Sequence, residues 1–331
     1  MQYNINSGWG DKLVQGLSFN PTGSIFVVGD SSTVNKDRIQ QLFRDNPDGV
    51  VTYHQTLDEA LSRCTNDAGD IIYILPGHTE TIDSTSDAVI DKSGVTIIGL
   101  GNGSLIPTFQ CTSTDDCVYM SAADATLKNV RIEAYSSAGS NNVSGILLRS
   151  SGAAAKNITL DGIRFEKLTS GTFDTICKIS TDGGSTTAGY FSGLTIKNSH
   201  INYNVSAVTG GTGVGFYIVT NQINDFTFTG NEGSAVSSGN LGVLYSSGGS
   251  AVMKNWNVSD NRINNLSTSL LVCNLLTTGI DGIAVNNYWS GSSTGAYGTM
   301  VDMGNLRATN NYVNVRSAAD HEGRIHAATC T

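Results

Sequence analysis

Seven residues able to grip an anionic or sugar ligand stand at matching places in a recurring phrase of this chain: Arg131, Arg164, His200, Glu232, Arg262, Trp289 and Tyr312. Each lies two residues past the bend of its copy, so stacked copies would bring them into one outward column at about 4.8 Å intervals. Guanidinium groups pair with carboxylates, and aromatic rings pack on sugar faces. The column is therefore expected to pack against a sister subunit or a capsid or to face solvent, or else to grip an acidic glycan. Asp161 and Glu166 lie near Arg164 in sequence, where a carboxylate pair for glycoside hydrolysis can be imagined. No residue is assigned a catalytic role on this ground.

Other chemistry is thinner. In IFVVGDSST (Ile25 to Thr33) a nucleophilic Ser31 would follow a strand, but such a serine needs a general base. The late residues Asp320, His321 and His326 lack the Asp-x-x-His spacing that would supply it. His78 and Glu80 alternate on one side of the chain and would be two metal ligands without a third, so no metal and no cofactor is expected. Six cysteines, at 64, 111, 117, 177, 273 and 330, show no C-x-x-C spacing. Cys177 and Cys273 read as small core residues. Cys111 and Cys117 could close a small surface loop, which a reducing compartment disfavours.

The phrase that carries the column returns eight times. Its copies are VTIIGL (Val95 to Leu100), ATLKNVRI (Ala125 to Ile132), ITLDGIRF (Ile158 to Phe165), LTIKNSHI (Leu194 to Ile201), FTFTGNEG (Phe226 to Gly233), WNVSDNRI (Trp256 to Ile263), IAVNNYWS (Ile283 to Ser290) and LRATNNYV (Leu306 to Val313). The fifth residues, Gly99, Asn129, Gly162, Asn198, Gly230, Asp260, Asn287 and Asn310, are all types that reach a left-handed conformation at little cost. The residues two and four before them are apolar, which is the period of a strand with one face inward. Further strand-like runs lie between the copies, such as Val118 to Met120, Gly145 to Leu148, Ile176 to Ile179 and Gly215 to Val219. Three short strands per repeat predict an all-β parallel β-helix, a solenoid about 40 Å long.

Composition agrees with a turn-rich solenoid: 38 Gly, 4 Pro and 14% charged residues among 331, with 39% hydrophobic. A net charge of −9 without a Lys/Arg cluster argues against nucleic acid and against an anionic membrane surface as partners. Met1 to Gly10 has neither the basic nor the apolar region of a secretory signal, so synthesis in a cytoplasm is expected, with exit by lysis or inside a particle.

Four regions are expected: an N-terminal arm (1–23), an α/β cap and attachment region (24–84), the parallel β-helix (85–315) and a C-terminal tail (316–331). The arm has Trp9, Leu13, Leu17 and Phe19 without a periodic pattern, as in a segment that docks on another surface. Ile39, Leu42 and Phe43 suggest one helix; Thr56 and Glu59 form a capping box for a second, with Leu57, Ala60, Leu61 and Cys64 on one face.

The succession of a TLDEAL helix, GDIIYILPGHTETI and VTIIGLG resembles the entrance of the pectate-lyase-like single-stranded right-handed β-helix, in which a helix caps the first coil. SIFVVGDSSTVNKDRIQQLF together with PGHTET resembles structural proteins of tailed phages. The resemblance implies a virion protein made in the host cytoplasm: a trimeric capsid decoration, head fibre or tail-associated rod, attached to capsid or tail proteins by its N-terminal region, with surface polysaccharide as a further partner. The alternative it implies is a polysaccharide depolymerase, a lyase or glycoside hydrolase. The lyase motif Arg-x-Pro-x-x-Arg cannot occur with prolines only at 21, 47, 76 and 107. Of the polygalacturonase motifs, only Asp115-Asp116 and Gly77-His78 have partial counterparts.

Overall fold

A computed structural model describes residues 23–30, 33, 37, 52–84, 86–113, 115–134, 142–150, 155–167, 173–181, 190–203, 214–219, 223–235, 243–246, 253–265, 272–275, 279–291 and 301–315. Among them the chain is nearly all strand, and the strands pair in parallel. Successive strands rotate through three long sheets of 11, 9 and 8 strands, here sheets A, B and C, with a 3-stranded sheet D before A. That topology is consistent with a parallel β-helix or solenoid. Strands on both sides of residue 84 share these sheets: Ile71–Ile74 pairs with Thr96–Gly99 in sheet A, and Thr79–Ile82 with Thr108–Cys111 in sheet B.

The period-two pattern decides which side chains meet. In sheet A the inward column runs Ile97, Leu127, Leu160, Ile196, Phe228, Val258 and Ala284, all buried. In sheet B it runs Phe109, Ile132, Phe165, Ile201, Gly233, Ile263 and Trp289. The sheets meet on the axis, where Phe216 of sheet C packs edge-on to Phe165 of sheet B at 5.9 Å and to Phe228 of sheet A at 4.9 Å. One contiguous apolar core extends from Phe26 to Leu306.

The bend from sheet A into sheet B turns on one left-handed residue per coil: Asn129, Gly162, Asn198, Gly230, Asp260, Asn286 and Asn310. The expected anchor Asn287 is thus displaced by one position. Either residue of the Asn-Asn pair suits a bend, and packing decides: Gly282, which pairs with Trp256, takes the position where a Cβ would lie 2.1 Å from the Trp256 carbonyl oxygen. Ile283, expected inside, is consequently 44% exposed, and Ala284 faces the core. The first copy differs as well, because Gly99 stays in its strand and the chain turns through Gly101 and a 3-10 turn, Gly103–Leu105.

Immediately after the bend, the second half of the chain stacks one buried asparagine on the next: Asn231, Asn261, Asn287 and Asn311. Each of the first three donates its Nδ2 to the Oδ1 of the following one, at 3.0, 2.8 and 2.8 Å. The same Oδ1 also accepts the preceding asparagine's backbone N–H, and Ser199 N–H closes the series onto Asn231 at 3.0 Å. In the first half, apolar Val130 and Ile163 fill this position.

The short helix Leu57–Leu61 is set by Thr56, whose hydroxyl accepts from Glu59 N–H, while Glu59 accepts from Gln55 N–H. It packs on strands Ile25–Val28, Tyr53–His54, Ile71–Ile74 and Val89–Ile90. Cys111 and Cys117 form a disulfide, against the reduced state expected, and both are buried in the core rather than in a surface loop. Cys64, Cys177 and Cys273 form no disulfide and are buried. The segment around Ile39, Leu42 and Phe43, the N-terminal arm and the C-terminal tail lie outside the described residues.

Candidate functional site

Two outward faces carry most of the polar chemistry. On sheet B, strands Arg131–Ala134, Arg164–Lys167, His200–Tyr203, Glu232–Ala235, Arg262–Asn265, Tyr288–Gly291 and Tyr312–Val315 lie in register, and their first residues form the column Arg131, Arg164, His200, Glu232, Arg262, Tyr288, Tyr312. Trp289 does not belong to it. The one-residue displacement of its copy turns the indole into the core, where it is 0% exposed and aligned with Ile263 and Val313. Tyr288 takes its place, 37% exposed beside Tyr312 at 52%.

Arg131 and His200 of this face have carboxylate partners. Arg131 Nε lies 3.3 Å from Glu166, its Nη1 lies 3.7 Å from Glu133, and Nη2 donates to the Gly103 carbonyl. Gln110 Nε2 donates to Glu133, and His200 Nδ1 is 3.5 Å from Glu232. Toward the other end Asn314 Nδ2 donates to the Tyr288 hydroxyl at 3.0 Å. Asp161 and Glu166 do not form a pair. The left-handed Gly162 separates them, so Asp161 faces out from sheet A between Lys128 and Lys197, at 3.2 and 3.8 Å, while Glu166 turns to Arg131 on sheet B.

His78 and Glu80 meet in a buried cluster with Asp30. His78 Nε2 is 3.1 Å from Glu80 and Nδ1 is 3.6 Å from Asp30. Both Glu80 oxygens accept from Leu57 N–H, so the carboxylate holds the first turn of the helix. Among the described residues there is no group of three or more His, Cys, Asp or Glu side chains placed to hold a metal ion. Ser31, Asp320, His321 and His326 lie outside those residues.

The second face was not legible from residue spacing alone. Sheet C carries on the side away from the core Tyr119, Leu147, Lys178, Tyr217, Tyr245 and Asn274, one per rung, of which Leu147, Tyr245 and Asn274 are buried, and the Tyr217 and Tyr245 rings stack at 5.3 Å with an interplanar angle of 23°. Beside this column lie Asp116 and Asp174. Burial pushes the carboxyl pKa of each upward, while Lys178 draws both back down. Asp115 adds repulsion at Asp116; the nearby Ser144 hydroxyl and Arg149 oppose it. One oxygen of the Asp174 carboxyl is buried without a hydrogen-bond partner, whereas the Asp116 carboxyl has the Ser144 hydroxyl beside it. The hint in sequence was Asp115-Asp116 before one inter-phrase strand and Asp174 near the start of another; the register sets those two strands on either side of Asn142–Ser150.

Comparison with protein families, with characterised proteins and with solved structures finds no match to this chain.

Proposed function

We propose that the chain is a structural virion protein of a tailed bacteriophage, an oligomeric β-helical rod that serves as capsid decoration, head fibre or tail-associated protein. In this reading the solenoid winds right-handed, the helix Leu57–Leu61 caps its first coil, and the N-terminal region attaches it to capsid or tail proteins. The likeness of SIFVVGDSSTVNKDRIQQLF and PGHTET to phage structural proteins supplies the particle.

The observation that carries the role is the sheet B face. Arg131 pairs with Glu133 and Glu166 and His200 lies beside Glu232, and the face ends in two exposed tyrosines, Tyr288 and Tyr312. Such a face suits adhesion to a sister subunit or a glycan, because paired charges leave little for a reacting group to use. An antibody to this chain should decorate purified phage particles at fixed positions in micrographs, and light scattering of the isolated chain should give a mass near three copies. Unlabelled particles would remove the virion role, and a monodisperse monomer at micromolar concentration would remove the trimer.

A further inference from the structure

The asparagine series ends on a residue that lacks only the rung above it. Asn231, Asn261 and Asn287 each donate the backbone N–H and one Nδ2 hydrogen to the Oδ1 of the next asparagine. The other Nδ2 hydrogen goes to a carbonyl of sheet A, and the backbone carbonyl accepts the N–H that follows the next asparagine, as from Tyr312 to Asn287 at 2.7 Å. Asn311 accepts both bonds from Asn287 and gives one Nδ2 hydrogen to the Ala284 carbonyl at 2.8 Å. Among the described residues its backbone N–H, its second Nδ2 hydrogen and its carbonyl have no partner, although the residue is only 4% exposed. Buried polar groups are almost always paired, so two donors and an acceptor left open together define the missing neighbour.

The core is unfinished at the same place. Ala308, Val313 and Val301 end the inward columns of sheets A, B and C and are only partly buried, whereas Ala284, Trp289 and Cys273 one rung earlier are 0% exposed. Strands Arg307–Thr309 and Tyr312–Val315 are the last of their sheets. We propose that this end receives one further parallel strand from another protein, an extended segment with Asn above Asn311 and any residue but Pro after it. The side-chain oxygen of that Asn accepts both Asn311 donors, and the following N–H fills the Asn311 carbonyl, as in the three coils before. Main-chain pairing at a sheet edge supplies affinity, and the side chain fixes the register. A second copy fits at neither end. Asn311 Oδ1 already accepts two bonds, and at the N-terminal end the same position is held by His78, buried and 3.1 Å from Glu80. Residues 316–331 of this chain contain no Asn.

The probe is a fluorescein-labelled peptide that repeats residues 306–315, LRATNNYVNV, and so carries an Asn and a following N–H in the register of the last rung. It is titrated with the full chain and followed by fluorescence anisotropy. Saturable binding of one peptide per chain is expected, with hydrogen exchange slowed in residues 306–315 of the chain and unchanged in Thr79–Ile82. Asn311→Leu in the peptide should weaken binding at least about tenfold, and Tyr312→Pro in the peptide by as much, since the first removes the oxygen shared by two donors and the second the N–H for the Asn311 carbonyl. Both changes lie in the probe, so the fold of the chain is not at issue. The proposal falls if the parent peptide does not bind, if the Leu or Pro peptide binds equally well, or if protection appears away from the last rung. It falls also if binding appears only after residues 316–331 are deleted, which would make this chain's own tail the occupant. The rod's place in a virion is judged separately by antibody labelling.

Discussion

The bend from sheet A into sheet B is built in two ways along the same molecule. In the first half Val130 and Ile163 bury aliphatic side chains there, and the coil nearby is closed by the Cys111–Cys117 disulfide. In the second half Asn231, Asn261, Asn287 and Asn311 replace them with amides that hydrogen-bond to the neighbouring coils. An aliphatic bend is stabilised by local burial and tolerates coils of any length. An amide series holds only while the next asparagine arrives in register, and here the steps are short, at 30, 26 and 24 residues. The comparison separates a half held by covalent and apolar contacts from a half held by repeated hydrogen bonds.

The largest effect is expected from interrupting the series. Asn261 Oδ1 accepts two bonds from Asn231, and its Nδ2 serves Phe228 and Asn287. Asn261→Ala strands buried donors on both sides, and a loss of about 4 kcal/mol is expected in urea titration of the isolated chain. The converse change, Val130→Asn, brings an amide into a column whose next member is Ile163. A loss of roughly 3 kcal/mol is expected. The double variant Val130→Asn with Ile163→Asn should lose less than the sum of the two singles, since the new amides can bond each other. Strict additivity would mean that the bend cannot be converted from one type to the other.

Cys111→Ala with Cys117→Ala should lower stability by about 2 kcal/mol, the amount expected for opening so short a loop. The same loss should appear on adding a reductant to the native chain, and no further loss in the reduced variant. A pH effect also belongs to this half. Asp116 has its carboxyl pKa raised in the folded state, so folding takes up a proton between the unfolded and folded values and stability falls as pH rises through that interval. Asp116→Asn should therefore unfold at a higher temperature than the native chain at pH 7, with the difference closing as pH drops below the unfolded carboxyl value of 3.8.

How much of this was legible in the sequence follows from what each signal measures. Period-two alternation reports which side chains face inward, and it located sheets A and B from Ala125 to Ile263 in correct register. It is blind to a shift of one residue where Asn286 and Asn287 are adjacent, so Ile283 and Trp289 were assigned to the wrong faces. The second set of left-handed residues, Asp124, Asn157, Gly193, Asp225 and Asn255, falls just before the alternating phrase. The asparagine series was visible as an Asn directly after each late bend, yet turn propensity alone explains Asn there equally well. Only the spacing in three dimensions distinguishes a turn former from a ladder member.

The smallest effect tests the face that the shift exposed. Tyr288 and Tyr312 stand side by side on the outer surface of the amide-bonded half, while the adjacent Trp289 fills its core. Tyr312→Ala should change stability by less than about 0.5 kcal/mol, since the ring is half in water and the core behind it is unaltered. Tyr288→Ala should cost little more, through the single bond it accepts from Asn314. A loss of several kcal/mol from either change, seen in urea titration at micromolar chain but not at tenfold dilution, would mean that the tyrosines are buried against another copy. A small loss independent of concentration would leave them facing solvent, where a sugar ring can reach both.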